Sequence, residues 1–219
     1  MSSPERGIWL ADTANREDLA TFVERAVRLD DAAVIRLRER ANGVVVAWVA
    51  TGFDVLASRV VAGRVRPSDL SAGGDALATG LRAMDSSGHV DPGFPMDSAW
   101  RGALPPDSGF AHIDDVPARV VLDLAQRGVE LAKEHSSSHG PPSSLLDQEV
   151  LAVSSAHGDV DIPMRCVFAL TAMGFLPNDP SALPADEIVR VRALPAWLRI
   201  DARFGSVYRR RGDPALVLR

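Results

Sequence analysis

The densest chemistry in this sequence lies near its C-terminus. Arg199, Arg203, Arg209, Arg210 and Arg211 cluster around one predicted turn, with Trp197, Phe204 and Tyr208 interleaved among them. Guanidinium groups take phosphates through charge and forked hydrogen bonds, and aromatic faces stack on bases, so the pattern suits a polyanion. Between Arg190 and Arg219 eight arginines stand against two acids, Asp201 and Asp213. The candidate binding residues are therefore Arg199, Arg203, Tyr208, Arg209, Arg210 and Arg211. The plainer reading, and the favoured one, is a polar sheet face whose arginines pair with carboxylates in a chain of net charge −5.

Other reactive side chains are thinly spread. Cys166, the single cysteine, sits among Met164, Val167, Phe168 and Leu170 and reads as inert packing. It permits neither an internal disulfide nor a cysteine metal cage. There is no G-x-S-x-G or S-x-x-K arrangement for a serine nucleophile. G-x-G-x-x-G and the phosphate-binding loop ending in Lys-Ser/Thr are also missing, and Lys133 is the only lysine. His135 and His139 have helical i, i+4 spacing but lie in a Ser-Gly-Pro-Pro stretch that breaks helices. His89-x-Asp91 and His112-x-Asp114-Asp115 mix ligands suited to a hard or borderline cation, although Asp114 and Asp115 are read more simply as helix caps. No catalytic residue, metal or cofactor is assigned.

Composition places these residues in an ordinary globular chain. Of 219 residues 46% are apolar and 24% charged, enough for one large domain or two small ones. The acidic balance gives no overall attraction for nucleic acid or anionic lipid. Residues 1–12 lack a signal-peptide apolar run, and no stretch approaches the ~20 apolar residues of a membrane helix. With one cysteine this points to the cytoplasm. The basic residues are 23 arginines and one lysine, which fits a GC-rich genome.

The elements that position the chemistry follow from periodicity. Asn15 is predicted to cap a helix carrying Leu19, Phe22, Val23, Ala26 and Val27 on one face, ending near Asp30-Asp31. Val34 to Arg40 and Val44 to Ala50 read as a hairpin about a two-residue Asn42-Gly43 turn, with Leu37 facing Trp48. A third strand follows over 55–61, then a helix over 69–84 weakened by Gly73 and Gly74. Residues 85–114 are rich in Gly, Pro, Ser and Asp and read as a long functional loop or connection. Asp115-Val116-Pro117 and Asp161-Ile162-Pro163 open two further helices in the same way, with Pro in the first turn. Between them a linker covers 135–143 and a helix 145–156. Strands return at 188–194, 197–203, 206–211 and 215–218. In the last hairpin a three-residue loop pairs Asp201 with Arg209, whereas a Phe204-Gly205 turn sets Arg199 against Arg210. Ala196 to Arg203 echoes Ala33 to Arg40, compatible with two related sheet modules. A helix-turn-helix over 145–173 is rejected, because the second helix is apolar nearly all round.

The stretch Ala196-Trp197-Leu198-Arg199-Ile200-Asp201-Ala202-Arg203-Phe204-Gly205-Ser206-Val207-Tyr208-Arg209-Arg210-Arg211 resembles a family of uncharacterised actinobacterial proteins. The likeness extends to Leu146-Asp147-Gln148-Glu149-Val150-Leu151 and over most of the chain. The resemblance implies no activity and carries over no functional residue.

The expected fold is α+β: a mainly antiparallel sheet from N- and C-terminal strand clusters, packed with about five helices. The expected organisation is a helix-hairpin-helix module over 1–86, a connection over 87–114, and a helical segment with Arg-rich hairpins over 115–219. The leading functional reading is a non-catalytic binding or assembly protein that meets a second copy or another protein. Polyanion or nucleic-acid binding through the 199–211 hairpin comes second. An enzyme with its site in the 85–114 loop, using His89 and His112, comes third.

Overall fold

A computed structural model of the chain describes residues 6–135, 141–177 and 179–212. Its contacts divide into two units: 1–52 with 56–103, and 53–55 with 104–219. Five α-helices and a mainly antiparallel sheet among the described residues make the fold α+β. None of those helices is long and apolar enough to cross a membrane.

The first unit runs β1 (Gly7–Leu10), α1 (Thr13–Leu29), β2 (Val34–Arg40), β3 (Val44–Thr51), β4 (Val55–Arg66), β5 (Asp69–Gly73), α2 (Gly74–Arg82) and β6 (His89–Val90). The strands lie in the order β5–β2–β3–β4, with β1 on β4 and β6 on β1. Helix α1 presents Leu19, Phe22, Val23 and Ala26 to the core, as its spacing predicts. Its cap is Asp12 and not Asn15: the Asp12 carboxylate accepts from the Asn15 N–H at 2.8 Å.

Two expectations for this unit are corrected. The β2–β3 register pairs Arg36 with Trp48 and Leu37 with Ala47, one residue away from the expected pairing. Ala41 joins the loop, and both Asn42 and Gly43 have positive φ (66° and 70°). The slip moves Val45, Ala47 and Val49 onto the face of Ile35 and Leu37. Val45 to Val49 are nevertheless all buried, so β3 is covered on both sides. Further on, 69–73 is a strand and only Gly74–Arg82 is helical. Leu70 and Ala72 alternate inward as strand residues, and Gly74 opens the helix at a point of contact. A Cβ there would lie 2.6 Å from Val27 Cγ2, and its N–H donates to the Ala33 carbonyl at 2.8 Å.

The second unit runs β7 (Ala111–Pro117), α3 (Ala118–His135), α4 (Ser143–Leu146), β8 (Glu149–Ser155), β9 (Gly158–Pro163), α5 (Met164–Ala172), β10 (Ile188–Leu194), β11 (Trp197–Ala202) and β12 (Gly205–Arg210). Strands β12–β11–β10–β7 form an antiparallel sheet, and β8 and β9 pair separately. Val189, Val191, Ile200 and Val207 face the interior at 2% exposure or less, together with α5. The expected helix over 145–156 is replaced by the single turn α4 and strand β8. Leu151 and the β-branched Val153 pair into β9, opposite Ile162 and Val160, with Val150 at a bulge.

The two look-alike Asp-x-Pro segments do start helices, but each proline is the last strand residue and not a first-turn residue. Pro163 is extended (φ −80°, ψ 155°). The first helical amide is taken up by a neighbouring carbonyl in both cases: Ala118 N by Glu187 O and Met164 N by Gln148 O, each at 2.9 Å. The other echo joins strands that are not equivalent. Strand, helix and three strands recur in the order β1–α1–β2–β3–β4 and β9–α5–β10–β11–β12, which matches β2 to β10 and not to β11. The predicted strand over 215–218 lies outside the described residues.

Candidate functional site

The predicted arginine hairpin exists, in a register that neither expected turn produces. Ala202 pairs with Gly205 about a two-residue Arg203-Phe204 turn. Arg199 faces Tyr208, Asp201 faces Ser206, and Arg209 faces Leu198. Strand alternation then divides the Arg209-Arg210-Arg211 run. Arg210 shares a sheet face with Trp197, Arg199, Asp201 and Tyr208, whereas Arg209 shares the opposite face with the buried Leu198 and Val207. Arg203 sits in the turn, and Arg211 lies past the strand with Nη2 3.4 Å from the Asp159 carbonyl.

On the first face Asp201 is the hub. Its Oδ1 accepts from Arg199 Nε at 2.7 Å and from Ser206 Oγ at 2.5 Å, and its Oδ2 lies 3.5 Å from Arg192 Nη1. The Arg199 guanidinium lies 5.7 Å from the Phe110 ring centre and 5.4 Å from that of Tyr208, within cation–π range. Arg210 lies 6.0 Å from Trp197. Arg190 and His112 both approach the Asp115 carboxylate, at 3.7 and 3.0 Å. Arg203 reaches Glu187 at 3.4 Å. The face carries four guanidinium groups (Arg190, Arg192, Arg199, Arg210) against two carboxylates (Asp115, Asp201).

The opposite face holds a cluster that sequence reasoning missed. Arg165, at the start of α5, is only 8% exposed. Its Nη1 donates to the Phe53 carbonyl at 2.7 Å and its Nη2 to the Asp147 carboxylate, with Asp54 at 3.7 Å. Arg209 reaches the same Asp147 oxygen at 3.8 Å. The Nε atoms of Arg165 and Arg209 are buried without a hydrogen-bond partner among the described residues. Cys166 lies beside them, fully buried. Burial pushes its thiol up to about 12, against the opposing pull of the Arg209 and Arg165 charges. A thiol held protonated in this way is a packing group and not a nucleophile.

The first unit carries a second missed constellation. Trp9 on β1 pairs across with Arg64 on one side and His89 on the other. The Arg64 guanidinium lies 5.7 Å from the Trp9 ring centre, and the His89 ring centre 5.2 Å away. Trp9, Glu39, Arg64, Val65 and Arg66 line an open cleft of about 380 Å³. Glu39 is committed there, accepting from the Val65 N–H at 2.9 Å. The alternating Arg64-Val65-Arg66 was the visible signal, but its aromatic partners come from positions far away in sequence.

The long 85–114 segment is divided between the two units. His89 belongs to the first unit, beneath the Asp85 turn, where the Asp85 carboxylate accepts from the Ser87 and His89 amides. Those bonds, with one from the Ser87 hydroxyl, hold the Asp85 carboxyl below its usual range. His112 belongs to the second unit, on Asp115. Among the described residues no group of three His, Cys, Asp or Glu side chains is placed to hold a metal ion. His139 lies outside the described residues.

The comparisons agree with this two-part layout. Residues 105–214 match the family called Domain of unknown function (DUF8185), and residues 3–102 match Domain of unknown function (DUF8010). The chain belongs to the DUF8185 family. No curated protein matches it. Among solved structures its fold is like that of bacterial DNA polymerase sliding clamps. The Bacillus subtilis clamp superposes with a TM-score of 0.58 at 11% identity, over 97% of this chain and 66% of the clamp. The Caulobacter crescentus clamp gives 0.55 at 12%, over 98% and 67%. A Helicobacter pylori clamp bound to a DNA ligase peptide gives 0.52 at 10%, over 97% and 67%. The DUF8185 chain thus spans about two thirds of a clamp's length. The break between its two family matches falls where its contacts divide.

Proposed function

We propose that this DUF8185 protein is a non-catalytic binding or assembly protein of the cytoplasm that works by presenting sheet and helix surfaces to a second copy or a protein partner. The observation that carries this reading is the superposition of nearly the whole chain on sliding clamps. One such clamp holds a DNA ligase peptide, so the architecture is compatible with a protein ligand. A buried, protonated Cys166 and arginines engaged by neighbouring carboxylates point the same way. The Arg-for-Lys bias and the single cysteine support an actinobacterial, reducing setting. Sedimentation velocity over a wide concentration range tests the self-association arm, with reversible growth of the sedimentation coefficient expected. A constant monomer that also gives no complex with clamp-binding peptides such as the DNA ligase segment removes the reading.

A second reading, polyanion binding at the hairpin, draws on the surplus of guanidinium over carboxylate on the Arg199 face. On that face lie Arg199, Tyr208 and Arg210, joined by Arg190 and Arg192, while Arg209 lies on the opposite one. Fluorescence anisotropy with single- and double-stranded DNA decides it. Binding that weakens steeply with salt and is lost in an R190A/R210A double variant supports the reading, and salt-insensitive or missing binding ends it.

A further inference from the structure

One side chain in the first unit departs from the usual rule for apolar residues. Phe94 is 89% exposed, while the next most exposed large hydrophobic residue among the described residues, Val60, stands at 56%. A solvated Phe on a mobile loop would mean little. Phe94 is carried instead on a segment pinned at every step. Arg6 donates from Nη1 to the Gly93 carbonyl at 2.6 Å and from Nη2 to the Ser71 carbonyl at 2.7 Å. Gly93 N–H donates to Asp91 at 2.9 Å, and Met96 N–H to Ser71 O at 2.9 Å. Pro95 bridges to Ala72 of β5, and the Asp97 carboxylate accepts from the Ser71 N–H at 2.6 Å. Met96, 36% exposed, extends the apolar patch. An aromatic side chain whose backbone is already ordered loses little entropy on docking and can bury about 150–250 Å².

A receiving surface lies alongside. Helices α1 and α2 enclose an open cleft of about 450 Å³ with an apolar floor of Val27 and Ala78 and an exposed rim of Glu24, Arg28, Asp75 and Arg82. Knob and cleft share α2: a Cβ on Gly93 would lie 2.8 Å from Ala76 Cβ, one residue from Asp75. The rim holds two carboxylates and two guanidinium groups, so it carries no net charge to draw a polyanion or a strongly basic peptide. Equal numbers of acids and bases allow two copies of the rim to meet under a two-fold rotation with acid against base.

We infer that Phe94 anchors a two-fold contact between copies of this chain, each Phe94 seated in the α1–α2 cleft of the other, with Asp75 and Arg82 meeting across the axis. This names the surface for the self-association proposed above and rests on that reading.

The test is sedimentation velocity and light scattering on the full chain and three variants. Phe94→Ser should weaken self-association at least tenfold while leaving the melting temperature unchanged, because a solvated side chain contributes nothing to the folded monomer. Arg82→Asp should weaken it through like-charge contact, and the swapped pair D75R/R82D should restore it. If F94S and R82D associate as the wild type does, assembly runs through another surface and this inference falls while the assembly reading stands. If the wild type is a monomer throughout, the inference and the self-association arm fall together.

Discussion

Arg209 and Arg210 are neighbours of one residue type on one strand, and they live under different physics. Arg210 lies over Trp197 on a face where Asp201 serves both Arg199 and Arg192, and Asp115 serves Arg190 and His112. Arg209 turns inward to an aspartate already held by Arg165, beside a thiol that burial keeps protonated. The buried charge of the second face is Arg165, which a lost partner leaves as a desolvated ion. A count of arginines along the sequence therefore overstates the surface available for binding, because strand alternation sends part of the run into the body of the unit.

The largest effect should come from breaking the inner cluster. Arg165→Ala removes two charge-assisted hydrogen bonds from a buried group, and we expect it to lower unfolding free energy by roughly 2–4 kcal/mol in urea titrations. Asp147→Ala should cost a similar amount, since it leaves Arg165 and Arg209 without their shared carboxylate. Cys166 provides a second readout. In the wild type its thiol should resist alkylation at neutral and mildly alkaline pH, and the Arg165 variant should label faster as α5 loosens.

The outer hub should respond less and differently. Asp201→Asn removes the negative charge that Arg199 and Arg192 share and turns one of the two acceptor oxygens into a donor, at a cost of about 1–2 kcal/mol. It also raises the positive charge of that face, so any nucleic-acid binding should strengthen and acquire a steeper salt dependence. Destabilisation with no change in binding would separate the face's structural role from a recognition role.

Much of this contrast was invisible in sequence for reasons tied to particular residues. The strands 188–194, 197–202 and 205–210 stand out through alternation, and their existence was legible. Their registers were not, because the strand pattern does not say which residues make the turn: Ala41 entered one loop, and Arg203-Phe204 closed the other in place of Phe204-Gly205. The inner cluster was hidden because its parts come from Phe53, Asp147, Arg165 and Arg209, which only the fold brings together. Segment 145–156 looked helical through Leu145, Leu146 and Val150, yet pairing with β9 outweighed that weak local preference. Phe94 is, in the sequence, one apolar residue within the Gly- and Pro-rich 85–114 segment. Its meaning comes from the bonds that fix Gly93 and Met96 while leaving the ring in water.

A smaller effect is expected in the first unit, where Arg36 donates to both Asp69 oxygens, at 2.8 and 2.7 Å. That hydrogen bonding, with the Arg36 and Arg38 charges, holds the Asp69 carboxyl below its ordinary value of 3.8 despite partial burial. A carboxyl lowered in the folded state contributes its stability above the unfolded value and loses it as pH falls through the folded one. Acid titration below pH about 4 should therefore show a slope that Asp69→Asn flattens, the variant being less stable than the wild type at neutral pH and the two converging in acid. An unchanged slope would mean that solvent screening cancels the pair.

The smallest effect sharpens the comparison most, because it concerns the neighbours themselves. Arg210→Ala removes an exposed cation from above the Trp197 ring and should change stability by no more than about 0.5 kcal/mol. Arg209→Ala, one residue earlier, removes a guanidinium whose Nε is buried and whose charge helps to balance Asp147, and it should cost clearly more. It should also slow thiolate formation at Cys166, since the Arg209 charge is the larger of the two pulling that thiol down. Measured side by side in one denaturant series, equal costs for the two would show that alternation does not separate the arginines. The division between an inner structural face and an outer interacting one would then be lost.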